Sequence, residues 1–269
     1  MLSYLFDGDF DRYFAEAGRG TALWLFVHVP KTAGSSMETE MAAILKPFAN
    51  IEIDYTDSSR PYHVLLDEAV QRFAATHNAT PYRFASGHIV GRHVDMIRAA
   101  IPDVRAVSML RNPVARIISD YRYQCSSMNT ARESFIKTTP DFAAYIARKH
   151  VHNKTATALV PKPLVDAKDN DAVIDAAMKN YTFIGLQEMY PLALRTVTTL
   201  MGSPRSPEQR IRVNTETENQ VELTPALEAE LKALNSVDVA LYQHFTAKWR
   251  PIRDTLRDYL ASRAKPKAA

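Results

Sequence analysis

The chain has 269 residues, 46% hydrophobic and 23% charged, with a net charge of +3 and a pI of about 8.9. That composition excludes a disordered or fibrous chain, and the basic excess suits an anionic ligand but is too small to imply nucleic acid. The single cysteine, Cys125, excludes an intrachain disulfide. It follows an apolar helical run and is expected to be a buried structural thiol.

The first twenty residues carry Asp7, Asp9 and Asp11 and lack the basic-then-apolar order of a signal peptide. No apolar run reaches the roughly 18 residues of a membrane-spanning helix. The expectation is a cytoplasmic protein without a membrane span. Residues 1–20 read as an N-terminal extension of a single domain covering residues 1–269.

Residues 22–29, Ala-Leu-Trp-Leu-Phe-Val-His-Val, form a nearly unbroken apolar run between Gly20 and Pro30. Such a run reads as a strand buried on both faces, as in parallel sheets. Met37, Met41, Ile44 and Leu45 then recur at a helical period that Pro47 ends. Residues 64–76 predict a helix, 82–86 a short strand running into Gly87 and His88, and 94–101 a helix stopped by Pro102. Residues 104–110 predict another buried strand, followed by a helix from Asn112-Pro113 to about residue 123. Residues 172–178 read as helix, 181–184 as strand and 190–201 as helix. Residues 225–263 read as helical with a break near Asn235, and 263–269 as a frayed tail. Residues 126–140 and 160–170 show no clean period and read as long loops. Alternating strands and helices predict an α/β fold: a P-loop-like, mostly parallel sheet flanked by helices, with a helical C-terminal part.

The turn between the first strand and helix is Pro30-Lys31-Thr32-Ala33-Gly34-Ser35-Ser36. A strand–turn–helix aims backbone N–H groups and the positive end of the helix dipole at one point, a natural site for phosphate. It is neither a Walker A loop, since Lys31 precedes the only glycine, nor a G-x-G-x-x-G loop. Ser35 and Glu38 have the S-x-x-E spacing of a capping box, so Glu38 is read as a cap. Farther on, Arg111-Asn112-Pro113-Val114-Ala115-Arg116-Ile117-Ile118-Ser119 ends a strand and starts a helix. Asn112 suits the N-cap and Pro113 the first turn. Val114, Ile117, Ile118 and Tyr121 make the core stripe. Arg116 and Ser119 share a flanking face, where Arg116 reads equally as a solvated charge.

His-Val-Pro-Lys-Thr-Ala-Gly-Ser-Ser at residues 28–36 resembles the 5′-phosphosulfate-binding loop of the carbohydrate sulfotransferases, particularly the heparan sulfate 2-O- and 6-O-type enzymes and their bacterial relatives. Arg111 and Ser119 match that family's second motif. The resemblance implies a donor cosubstrate, 3′-phosphoadenosine 5′-phosphosulfate (PAPS), and no metal. It gives the 5′-phosphosulfate to Lys31, Thr32, Ala33, Gly34, Ser35 and Ser36, and the 3′-phosphate to Arg111 and Ser119. The partners implied are PAPS or its product PAP and a hydroxyl acceptor, most readily a saccharide. Residues 151–155 and 238–242 resemble further family segments. So does the stretch around Glu188, which is read as capping the helix that follows it.

Sulfuryl transfer needs a base and positive charge at the leaving phosphate. Lys31 suits the second role. Among eight histidines, His88 follows a strand, at the end where open α/β sheets bind ligands. It also lies where the heparan-type enzymes carry a catalytic His after Gly, so it is taken as the base, with His93 and His152 in reserve. His28 alternates with apolar residues and is read as structural. Arg83, Arg92, Arg98 and Lys154 would suit an anionic glycan. Two other functions stay open: a metal-dependent P-loop kinase or NTPase, and a non-catalytic nucleotide- or polyanion-binding relative.

Overall fold

The computed structural model describes residues 1–20, 22–53, 59–207 and 219–263; the tail expected to fray, from residue 264 on, lies outside them. Five strands form one parallel sheet in the order β2-β3-β1-β4-β5. They are β1 (Leu23–Val27), β2 (Phe48–Ile51), β3 (Phe84–Gly87), β4 (Val104–Leu110) and β5 (Phe183–Leu186). Every residue of β1, β3 and β5 is buried, as their unbroken apolar runs require. The chain leaves β1 toward the β2 edge and later returns to β4 on the other side, so β1 lies at the topological switch point, where such sheets bind ligands.

The helices α3 (Gly34–Ile44), α4 (Tyr62–Ala79), α5 (Gly91–Ala100), α6 (Pro113–Gln124), α11 (Asn170–Asn180) and α12 (Tyr190–Leu200) cover the predicted segments. So do α13 (Pro225–Leu234) and α14 (Ser236–Arg263), with the break at Asn235. Asn112 caps α6 through its side chain, which accepts from the Ala115 N–H at 3.1 Å, and Pro113 occupies the first turn. Val114, Ile117 and Tyr121 pack with the buried Cys125, Tyr145, Ile146 and Leu231 in a second core cluster.

Four expectations change. Residues 2–17 form α1 (Leu2–Phe6) and α2 (Phe10–Ala17), whose apolar faces are buried. Phe6 meets Phe245 and Trp249 of α14 edge-on, and the Tyr13 hydroxyl donates to the Thr182 carbonyl at 2.9 Å. At the far end of α14, Tyr259 and Arg263 both donate to Asp11. Strand β2 was not expected. Its signal is the alternation of exposed Asn50 and Glu52 with buried Ile51 and Ile53, easily lost in so short a run after Pro47. The two expected loops contain α7 (Arg132–Thr138) and α10 (Lys162–Asp166), short helices with too few turns to show a period. Between them lie α8 (Phe142–Ile146) and α9 (Lys154–Leu159).

The starts of α9 and α14 cap each other. Asn153, at φ 46°, accepts through Oδ1 from the Val237 and Asp238 N–H groups. Asp238 in turn accepts from Thr155 and Ala156 at 3.1 and 2.7 Å. Polar side chains thereby satisfy the orphan donors of two buried helix ends. Among the described residues no helix is long and apolar enough to cross a membrane.

Candidate active site

The ends of β1, β3 and β4 are held in register, Val27 lying beside Gly87 and Ser108. Residues 28, 88 and 111 therefore emerge at one edge of the sheet. The loop after β1 is built by its backbone. Lys31 and Ala33 both adopt left-handed φ, 70° and 65°, around Thr32. Such alternation before a helix N-terminus gathers successive N–H groups into an anion-binding concavity. Ala33 is the N-cap of α3 and no side chain caps that helix, so its first N–H groups remain for a ligand. The Thr32 hydroxyl is turned inward and donates to the Val29 carbonyl at 2.8 Å, bracing the loop. Ser35 and Ser36 are half-buried on the first turn of α3. A Cβ on Gly34 would overlap Cδ2 and Nε2 of His28, so only glycine lets the loop lie this close to the imidazole.

Arg111, at the end of β4, donates to the Lys31 carbonyl at 3.1 Å and so ties the second predicted motif to the first. Burial lowers its pKa, with Glu188 opposing, and the guanidinium stays charged. The Lys31 ammonium rests over the Tyr123 ring, 4.1 Å from its centroid. Tyr123 and the half-buried Ser119 are one turn apart on α6, so Lys31, Arg111 and Ser119 converge on the groove between the loop and α6. Two other expectations for this region fail. Arg116 is fully buried, reaching Asp120 and the Val151 carbonyl, because α8 and α9 cover that side of α6. Glu188 accepts from the Asn112 N–H at 2.9 Å, so it serves the start of α6 and not the helix after it.

On the other side of β1 lies a cluster of imidazoles and carboxylates. His88 donates from Nδ1 to the His28 carbonyl at 2.7 Å, leaving Nε2 with no hydrogen bond among the described residues. Its ring lies 4.3 Å from that of His28. The His88 side chain is exposed at the cleft, although protein atoms crowd around the ring. Burial first, then the neighbouring His28, lowers its pKa to about 4, and the ring is neutral at pH 7. His93 and His152 are committed elsewhere. His93 is buried, accepts from the Val90 N–H and meets Asp67 at 2.8 Å, while His152 donates to the Ile146 carbonyl.

Glu38 is not a cap. Its Oε2 accepts from His28 Nδ1 at 3.1 Å and from the Ser86 hydroxyl at 2.7 Å, joining α3, β1 and β3. Burial raises its pKa, but the bonds from His28 and Ser86 outweigh this and hold the carboxyl below its usual range. The sequence signal for this role is weak, since Glu38 also fits the capping spacing. Beside the cluster opens a cavity of about 220 Å³, lined among others by Glu38, Asn50, Glu52, Tyr62 and His88. A shallower groove beyond α3, lined by Thr39, Ala42, Lys46 and Phe48, has neither imidazole nor anion-binding backbone.

Residues 21–245 match the model of the Sulfotransferase family. No curated protein matches the chain. Among solved structures, it is similar to a sulfotransferase from Alicyclobacillus acidocaldarius, with 17% identity and a TM-score of 0.47 over 84% of this chain and 98% of that one. It is also similar to mouse sulfotransferase SULT7A1 complexed with PAP, with 16% identity and a TM-score of 0.44 over 90% of each chain. The family match spans the loop after β1, strand β4 with Arg111 after it, and the imidazole cluster, and the chain belongs to the sulfotransferase family, whose enzymes transfer sulfuryl groups.

Proposed function

We propose that the chain transfers a sulfuryl group from PAPS to a saccharide hydroxyl, with His88 as base. The observation that carries this is the junction, at the end of β1, of a backbone anion nest with a neutral imidazole whose Nε2 has no hydrogen bond among the described residues. The donor fits the residues present. The nest of residues 31–36 would hold its 5′-phosphosulfate, and Arg111 with Ser119 its 3′-phosphate. When bound, PAPS supplies an activated sulfuryl group and a phosphate leaving group.

The His28 carbonyl fixes the His88 tautomer, so Nε2 takes the acceptor proton as the acceptor oxygen bonds to sulfur. The imidazolium formed then faces Glu38, whose charge favours it. The sulfur–oxygen bond to the phosphate breaks on the opposite side. The loop N–H groups and Lys31 stabilise the charge left there.

Calorimetry tests the donor half. PAP should bind without added metal, and Arg111→Ala should weaken it by roughly 10- to 100-fold, the worth of a hydrogen bond to a charged group. Adenosine 5′-phosphosulfate, which lacks the 3′-phosphate, should be much less affected. Equal losses for both ligands would remove Arg111 from the 3′-phosphate site. Mg²⁺-dependent binding with phosphoryl transfer from ATP would restore the kinase alternative.

A further inference from the structure

The geometry points to an acceptor that carries no negative charge: a neutral or, preferentially, an amino-bearing sugar in the cavity beside His88. This rests on the assignment of His88 as base and of a saccharide as acceptor. The cavity lies against His88, so what lines it meets the acceptor. Among the described residues its lining includes two carboxylates, Glu38 and Glu52, and no lysine or arginine. Glu38 is held ionised by its bonds to His28 and Ser86. Asn50 and Glu52 are two apart across the end of β2, so they share a face, and Asn50 Nδ2 donates to Glu52 Oε2 at 2.9 Å. A planar amide beside a carboxylate offers donor and acceptors together, a pairing suited to vicinal hydroxyls or to an ammonium. Tyr62 is 50% exposed at the same cavity and Leu66 is buried in its wall. An open tyrosine ring suits the apolar face of a sugar or a cation.

The cations that would favour a polyanionic glycan are held in pairs or lie away from the cavity lining, although Lys154 is near enough for its charge to reach His88. Arg92 pairs with Asp67 at 2.7 Å, Lys154 with Asp120 at 3.2 Å, and Arg60 with Glu68 at 2.7 Å. Arg98 donates to the Asn180 carbonyl. Arg83 immediately precedes β3, at the end of that strand opposite His88. A uronate or sulfated sugar would therefore bring its charge to two carboxylates, and to the charge of the donor itself. At about 220 Å³ the cavity is smaller than most ligand sites, about 300–1,000 Å³, and suits one ring better than a long chain segment.

The test is sulfate transfer from labelled PAPS to matched oligosaccharides: a glucosamine oligomer, its N-acetylated counterpart and a uronate-bearing oligomer of the same length. PAP calorimetry on the same preparation reports the donor site independently. The expected order of kcat/KM is amino, then neutral, then uronate, with about tenfold between the extremes, since each near-surface charge contributes a few-fold. Glu52→Gln should cut the amino-over-neutral preference by about 2- to 5-fold, and Glu52→Lys should shift preference toward the uronate, with circular dichroism checking the fold of each. A wild-type preference for the uronate oligomer, or an order indifferent to Glu52→Lys, overturns the inference and leaves saccharide sulfation standing. PAP binding without sulfation of any of the three sugars overturns the inference and the saccharide assignment together.

Discussion

The two flanks of β1 are built on opposite electrostatic plans. Toward β4 and α6 lie backbone N–H groups, the Lys31 ammonium and the Arg111 guanidinium, joined through the Lys31 carbonyl. Toward β3 and β2 lie carboxylates and the imidazoles of His28 and His88, joined through Glu38 and the His28 carbonyl. The first flank suits a charge that is present from the start. The second suits a proton that arrives during the reaction, because a neutral ring beside an ionised carboxylate becomes a stabilised cation. His28 is the hinge of this division: its ring faces Gly34 of the anion loop, and its carbonyl and Nδ1 serve the other flank.

The largest effect should come from removing His88, the proposed base. His88→Gln should lower kcat by about 10²–10⁴-fold while leaving PAP affinity nearly unchanged, because the base acts on the acceptor. In the wild type, a folded pKa lowered to about 4 keeps the base neutral over most of the acid range, so kcat/KM should fall only as the pH approaches 4. An acid limb near pH 6.5, the ordinary histidine value, would show that the ring is not held as described, and an active His88→Gln would place proton uptake elsewhere.

The next effect tests the hinge. Gly34→Ala should destabilise by about 1–3 kcal/mol, the usual cost of overpacking, because the His28 ring is held by Glu38 and cannot swing aside freely. Combined with His28→Ala, which removes the clashing ring, the two changes should sum to less than their separate costs in thermal or urea denaturation. Strict additivity would mean that the contact does not constrain the loop.

The smallest effect should come from Glu38→Gln, which keeps the shape and removes the charge. A loss of about 1 kcal/mol at pH 7 is expected, of the order of one hydrogen bond. The folded pKa of Glu38 is lowered, so its contribution is present above the unfolded value of 4.5 and fades as the pH falls through the folded one. The stability gap between wild type and variant should therefore close on acidification. A gap that does not change with pH would show that Glu38 acts by packing alone.

Runs whose chemistry admits one structure were legible in the sequence. Residues 22–29 and 104–110 read as strands and contain β1 and β4, and Asn112-Pro113 reads as a helix start and opens α6. The strand–turn–helix placement of residues 30–36 was legible too, since β1 and α3 fall on either side of that turn. What escaped depended on partners distant along the chain. Glu38 has the local spacing of a cap, and only the return of β3 beside β1 brings Ser86 and His28 to it. Arg116 looks solvated until α8 and α9 cover it. Asn50 sits on a four-residue edge strand and Glu52 just past its end, a run too short to announce itself. The lining of the cavity beside His88 was illegible for the same reason, since it is assembled from α3, the end of β2, α4 and the end of β3.

The packing of α1 and α2 against α14 also bears on how the chain is made. Phe6 and Asp11 find Trp249, Tyr259 and Arg263 only after the long stretch of chain between them has been made. At about 5–20 residues per second, the first helices would wait on the order of tens of seconds with their aromatic faces uncovered. During that interval α1 and α2 carry apolar faces whose partners are not yet made, so their packing is a late step in folding.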